Sequence, residues 1–156
     1  MGHASSLGHW CGAVGLKDPG IAAMMELGLD VRRVVFVPHP RAMWADAVAE
    51  LLDGVDLLFV CPPSRVPHGA ARRLMARAKE RKSVLLVRTN DTRQWPVPPE
   101  ATIVLERSSW QGAGQGDGRL AARRVTVSGE SRRGTRGGTH ALWLPALSGA
   151  VTTVEQ

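Results

Sequence analysis

The segment LLDGVDLLFVCPP, residues 51–63, decides the fold of this chain. Gly54 ends a preceding helical pattern, and residues 56–61 then form an almost wholly apolar run of strand length. A strand that is apolar on both faces is typical of a parallel sheet with helices on both sides, because each face must be buried. The segment therefore predicts a central strand of an α/β sheet.

Two strand-and-helix units precede this segment. Residues 10–16 and 33–37 are apolar runs of strand length. Between them, Asp18 as N-cap and Pro19 at the first helical position predict a short helix. In residues 43–52 the apolar positions recur at the spacing of a one-sided helix. The alternation of strands and helices predicts a parallel sheet with right-handed connections.

The downstream part begins with a helix at residues 67–82 and a strand at residues 83–88. The pattern then changes, because strand-like runs follow one another with no helix between them. These runs are residues 102–107, 119–127 and 139–144. We expect them to extend the same sheet as antiparallel strands. One domain would then cover residues 1–147, and residues 148–156 would form a flexible tail.

The composition fits one globular domain, since the 156 residues are 44% apolar and 22% charged. The longest apolar runs are far below the roughly 20 residues of a membrane span. Residues 1–8 also lack the basic and apolar regions of a secretory signal. Cys11 and Cys61 lie in apolar strand-like runs, which suits reduced thiols. We therefore expect a cytoplasmic protein without a membrane segment.

The sequence contains no recognisable nucleotide or metal site. A P-loop needs Gly followed by Lys and then Ser or Thr, and no Gly-Lys pair occurs. His9 and Cys11 have no second His/Cys pair at ligand spacing, so no metal is expected. Cys61 could act as a nucleophile with His39 or His68 as base, but a buried structural thiol is the other interpretation. We expect no catalytic residue and no cofactor.

The glycines of residues 112–118 resemble a phosphate-binding loop at first sight. A dinucleotide loop needs glycines at its first, third and sixth positions and a helix after them. Here the segment joins two predicted strands, so no helix N-terminus would face a phosphate. A hairpin loop is the interpretation that fits.

The positive signal is a cluster of arginines near the C-terminus. The formal net charge is +6, and six arginines between residues 119 and 136 face only Asp117 and Glu130. Arginines among glycines and serines on loops can neutralise phosphates and stack on bases. The alternative is a solvated hairpin in which the many arginines reflect the codon bias of a GC-rich genome. The candidate DNA-binding residues are Arg119, Arg123, Arg124, Arg132, Arg133 and Arg136.

Two tryptophans flank this region. Trp95 and Trp110 fall in predicted loops. Because Trp is enriched at the energetic centres of interfaces, both are candidate partner-binding residues. Packing in the core is the alternative for each.

Residues 9–145 resemble the core of RecA proteins. The resemblance implies a RecA-like, mostly parallel sheet flanked by helices, with antiparallel C-terminal strands. Residues 83–90 lie where RecA-type proteins carry a sensing strand. The segments that carry the resemblance are residues 11–16, Asp18-Pro19, 27–30, 34–37, 51–60, 83–90, 103–107 and 123–127.

The sequence departs from RecA at the nucleotide site. Cys61 stands at the position of the Mg²⁺-binding acid, and the general-base region reads Gly15-Leu16-Lys17. In the sheet of RecA proteins, the P-loop strand is expected between the strands that correspond to residues 83–88 and 102–107. This sequence has no strand for that position. Either the N-terminus is truncated or another segment takes this place. ATP hydrolysis is therefore not expected.

More narrowly, the sequence is similar to the actinobacterial ImuA-type mutagenesis accessory proteins, which are grouped with SulA-like sequences. These are RecA-like proteins without demonstrated catalytic signatures that work with the polymerase-like protein ImuB and an error-prone C-family polymerase. The segments that carry the similarity are Trp10-Cys11, 37–40, Trp44, 51–55, Pro62-Pro63, 72–74, Trp110, 118–120 and 142–145.

The similarity implies a non-catalytic accessory protein of SOS-induced, error-prone translesion DNA synthesis. It would link an ImuB-type protein and the polymerase at damaged DNA and bind single-stranded DNA weakly and without sequence preference. The alternatives are a SulA-like inhibitor of cell division and a DNA-dependent ATPase. The sequence does not specify the partner-binding surface or the oligomeric state.

Overall fold

Residues 1–114, 117–132 and 136–154 are described by a computed structural model. The chain divides into two compact units, Met1–Pro98 and Pro99–Gln156. Each unit contains one four-stranded sheet. The first sheet is parallel and the second is antiparallel, so the chain is a mixed α/β protein.

The first unit alternates strands and helices as predicted. Its strands are β1 (Cys11–Val14), β2 (Val34–Val37), β3 (Leu57–Val60) and β4 (Val84–Val87), in the sheet order β2-β1-β3-β4. Its α-helices are α1 (Gly2–Ser6), α2 (Ile21–Glu26), α3 (Trp44–Leu51) and α4 (His68–Arg81). Short 3-10 turns lie at Val31–Arg33, Arg41–Met43 and Thr92–Gln94. The central position predicted for the apolar strand is confirmed, because β3 pairs with β1 on one side and β4 on the other.

The start of α2 differs from the prediction. The helix begins at Ile21 with Gly20 as its N-cap, and Asp18 does not cap it. Asp18 instead adopts a left-handed φ of +48°. Asp tolerates this conformation better than most residues, and it suits the tight turn that leaves β1.

The core of the first unit lies on one face of the parallel sheet, where α3 and α4 pack. Side chains alternate between the two faces of a strand. Leu85 and Val87 of β4 therefore contact the core, whereas Val84 and Leu86 point the other way and are 52% and 41% exposed. The buried residues of this core are Val14, Trp44, Val48, Leu52, Val55, Leu58, Val60, Val66, Ala71, Leu74 and Ala78.

The second unit is a meander of two long and two shorter strands. These are β5 (Ala101–Ala113), β6 (Gly118–Ser131), β7 (Arg136–Trp143) and β8 (Thr152–Thr153), paired in that order. β8 lies in the segment predicted to be a flexible tail and pairs with Leu142 and Trp143 of β7. The prediction that these strands extend the parallel sheet is wrong, since they form their own sheet. Strands joined by short loops pair at a low cost in chain entropy, which favours this local arrangement.

No helix among the described residues is long and apolar enough to cross a membrane.

Candidate nucleic-acid interface

The antiparallel sheet has two chemically different faces. Successive side chains of β6 point to opposite faces, so neighbouring arginines are separated. Arg124 and Thr126 share one face, and Arg123 and Val125 share the other. Val125 is fully buried, whereas Arg124 is exposed. We call the face that carries Arg124 the basic face.

A β-bulge in β5 determines what the basic face carries. Leu105 pairs with Val127, but the next pair joins Arg107 to Thr126, so Glu106 is left without a partner residue on β6. Without this extra residue, Glu106 would stand opposite Thr126. A bulge re-aims the side chains that follow it. Here it places an arginine on the basic face at a position that would otherwise hold an acid.

The basic face contains a shallow open depression lined by two arginines and by hydroxyl groups. Arg107 lies opposite Thr126, and Ser109 lies opposite Arg124. The two arginines are thus diagonal neighbours across two paired strands, about 7–8 Å apart at the backbone. The depression is lined by Arg107, Ser108, Ser109, Arg124 and Thr126.

The charges of this face are not compensated within the described residues, where neither Arg107 nor Arg124 forms an ion pair. Several arginines of the first unit do. Arg77 and Arg81 both bind the carboxylate of Asp53, and their hydrogen bonds hold its pKa below the ordinary value. An arginine without an acidic neighbour is available to an anionic ligand. The basic face therefore suits phosphate groups.

The opposite face pairs an arginine with a tryptophan. Arg123 stands directly across from Trp110, and its guanidinium carbon lies 5.7 Å from the centre of the indole ring. This is within the range of a cation–π contact. Arg123 Nε is buried and has no hydrogen-bond partner among the described residues. Trp110 is still 47% exposed.

The predicted DNA-binding arginines are only partly brought together. Arg124 and Arg132 are exposed, and Arg123 lies on the other face from Arg124. Arg119 is exposed in β6, near the hairpin end. The backbone of Arg136 pairs with that of Glu130. Arg133 lies outside the described residues.

Sequence reasoning missed Arg107. It is the last residue of a predicted strand and is separated in sequence from the arginine cluster. Only the pairing of β5 with β6, together with the bulge at Glu106, brings it beside Arg124.

The loop positions predicted for the two tryptophans need correction for Trp110. Trp110 lies inside β5, because that strand continues to Ala113, well beyond the predicted end at residue 107. Trp95 does follow a 3-10 turn, but it packs against the core of the parallel sheet and is half-buried. Its contacts are those of the core-packing alternative.

The carboxyl end of the parallel sheet is filled by a side chain. In doubly wound sheets, ligands bind where the connections diverge, which here is between β1 and β3. At this point Trp44 Nε1 donates a hydrogen bond to the carbonyl oxygen of Cys61 at 3.0 Å. Trp44 is 5% exposed, and a side chain at Gly15 would overlap the same carbonyl. The indole therefore occupies the space in which a ligand would lie.

Within the described residues, the structure bears on metal binding and on one of the two thiols. No three His, Cys, Asp or Glu side chains there are grouped to hold a metal ion. Burial raises the pKa of the Cys11 thiol, which keeps it in the unreactive neutral form.

Comparison with known proteins identifies the family of the first unit. Residues 1–97 match the sequence model of the family described as MT3502 N-terminal domain. The chain is also 35% identical over 79 residues to a protein of Mycobacterium tuberculosis named uncharacterized protein Rv3395c. That similarity covers 50% of this chain and 39% of the relative, so it spans well under half of the relative's length. The family match leaves out β5 to β8 and with them the basic face. It nevertheless covers most of the chain, which therefore belongs to the MT3502 N-terminal domain family.

Proposed function

We propose that this chain is a non-catalytic accessory protein of SOS-induced, error-prone translesion DNA synthesis that contacts single-stranded DNA through its basic face. The observation that carries the DNA-binding part is the pair Arg107 and Arg124. Both side chains are exposed, they are diagonal neighbours on one face of the sheet, and they form no ion pair within the described residues.

The physical argument is electrostatic. Each arginine that contacts a phosphate releases counterions from the nucleic acid, and this release drives binding at moderate salt. The hydroxyls of Ser109 and Thr126 beside the arginines can donate hydrogen bonds to phosphate oxygens. Neither chemistry reads the base sequence. The proposed binding is accordingly weak and without sequence preference.

The non-catalytic part of the proposal rests on the nucleotide site. The sequence lacks a Gly-Lys loop, and Cys61 stands where the similarity to RecA places the Mg²⁺-binding acid. The crevice between β1 and β3 is filled by Trp44. The RecA-like fold is part of this proposal, and the resemblance of residues 9–145 to the RecA core supports it.

The role in translesion synthesis is supported by the similarity to ImuA-type proteins. It implies an ImuB-type polymerase-like protein as the partner. A pull-down with this chain from cells with damaged DNA tests this directly. Recovery of a polymerase-like protein supports the proposal, whereas recovery of the division-ring protein supports the SulA-like alternative instead.

The DNA-binding part is tested by titrating a fluorescent oligo(dT) at several salt concentrations. With three or four phosphate contacts, the slope of log affinity against log salt should be about −2 to −3, from about −0.7 per contact. The double variant Arg107→Ala and Arg124→Ala should flatten this slope by about 1.4, which is two contacts.

The matched control changes Arg72 and Arg73 to Ala on α4, where both are exposed. This double variant removes the same charge from the first unit and should leave the slope unchanged. A slope that changes only in the α4 variant would place the DNA there and contradict the proposed site.

A further inference from the structure

We infer that Trp110 and Arg123 form a stacking platform for an unpaired base, which makes the interface selective for strands with exposed bases. This inference rests on the proposed function, since the phosphates on the basic face bring the strand to the platform. It assigns to the second face of the sheet a role that phosphate contacts alone do not supply.

The pair is built as a platform. The guanidinium of Arg123 lies over the Trp110 ring at 5.7 Å, and no acid neutralises it among the described residues. Its Nε is buried, so this part of the side chain lies against the sheet. The indole is a planar aromatic ring and the guanidinium is a planar cation. Planar groups of both kinds stack on any base.

The ring is also accessible. Trp110 is 47% exposed even with Arg123 against it, so a large part of the indole is open to a ligand. The ring belongs to β5, which among the described strands pairs only with β6 and so lies at an edge of the sheet. A ligand can approach this edge from the side as well as from the face.

The position on the edge strand links the platform to the basic face. Arg107 and Trp110 are three residues apart on β5 and point to opposite faces. The distance along the strand is about 10 Å at about 3.3 Å per residue. A flexible single strand can bind Arg107 through a phosphate and turn over the edge to place a base on Trp110. In a duplex the bases are paired and stacked inside, so they cannot reach the ring.

The first unit offers a matched pair of the same chemistry. Arg33 lies 5.7 Å from the ring of Trp10, which is 43% exposed. Asp56 is close to this pair, because its carboxylate accepts a hydrogen bond from the backbone N–H of Trp10. The Trp10 pair is therefore a control for the loss of an exposed indole from the first unit.

The test compares three ligands of equal length, namely oligo(dT), an abasic single strand and a duplex. A stacked base contributes about a 5- to 150-fold gain in affinity. Wild type should therefore bind oligo(dT) more tightly than the abasic strand by a factor in this range. Trp110→Ala should lose this preference and keep the salt slope, and Trp10→Ala should keep both.

Trp110→Phe keeps a smaller ring and should retain part of the preference, which separates stacking from a loss of fold. The outcomes for the two proposals differ. Equal affinity for oligo(dT) and the abasic strand, with the salt dependence intact, overturns the platform alone. A Trp110→Ala variant that keeps the full preference does the same. If none of the three ligands shows salt-dependent binding, the proposed function and the platform are overturned together.

Discussion

Trp44 and Cys61 are joined by a hydrogen bond from the indole N–H to the backbone carbonyl, at 3.0 Å. The bond ties the start of α3 to the residue that follows β3. Trp44 belongs to the core between the sheet and its two long helices. One side chain thus both closes the carboxyl end of the sheet and stabilises the packing of a helix on it.

Replacing Trp44 should therefore be costly. Trp44→Ala should lower the free energy of unfolding by about 3–5 kcal/mol, because it leaves a cavity in the core. Trp44→Phe should cost less, since it keeps most of the volume and removes one hydrogen bond, worth about 1 kcal/mol. Urea unfolding of the three proteins measures both differences. Equal stability of Trp44→Ala and wild type would contradict the buried position.

The purified chain should bind neither ATP nor ADP. No lysine-bearing glycine loop is present in the sequence, and Trp44 fills the crevice between β1 and β3. Isothermal calorimetry with Mg²⁺ at micromolar protein is the measurement. Saturable nucleotide binding would refute this prediction and favour the ATPase alternative.

The ion pairs of Asp53 should make the first unit less stable in acid. Arg77 binds this carboxylate through its Nε at 2.8 Å, and Arg81 does so at 3.0 Å. They hold the pKa of Asp53 below 3.8 in the folded state. Because the folded pKa is depressed, the stabilisation is present above pH 3.8 and is lost as the pH falls through the folded value.

Asp53→Asn should therefore be less stable than wild type at neutral pH, and the difference should vanish in strong acid. Urea midpoints across the pH range measure it. Glu26→Gln is the control, since Glu26 is exposed and forms no ion pair among the described residues. A difference for Asp53→Asn that does not depend on pH would show that the carboxylate charge is not the cause.

The strongest local patterns of the sequence predicted the first unit well. Leu57 to Val60 are apolar on both faces, and β3 lies in the middle of the parallel sheet. The sheet to which later strands belong could not be predicted in this way. Periodicity shows that residues 119–127 form a strand, but it says nothing about which strand pairs with it.

For the candidate site, the sequence predicted the types of residue but not their arrangement. The arginine cluster indicated phosphate contacts, yet consecutive Arg123 and Arg124 point to opposite faces of β6. The cluster therefore separates into two surfaces with different chemistry. Arg107 lies on the basic face because of the bulge at Glu106. A bulge adds one residue to a strand and leaves no reliable signal in a single sequence. The sequence predicts Trp110 only as a candidate partner-binding residue, and its arginine neighbour becomes known only through strand pairing.

The last prediction concerns β4, which should make the protein self-associate. Within the described residues its outer edge pairs with no strand, and α3 and α4 pack on the face away from Val84 and Leu86. These two side chains are 52% and 41% exposed. An unpaired edge with apolar side chains favours pairing with another chain.

Sedimentation velocity should therefore show association that increases with concentration. Leu86→Lys should weaken it, because a charge on an edge strand opposes pairing, whereas Ala76→Lys adds the same charge to an exposed position of α4 and should not. A protein that stays monomeric and melts cooperatively above about 65 °C, the upper end for mesophilic domains, would contradict this reasoning.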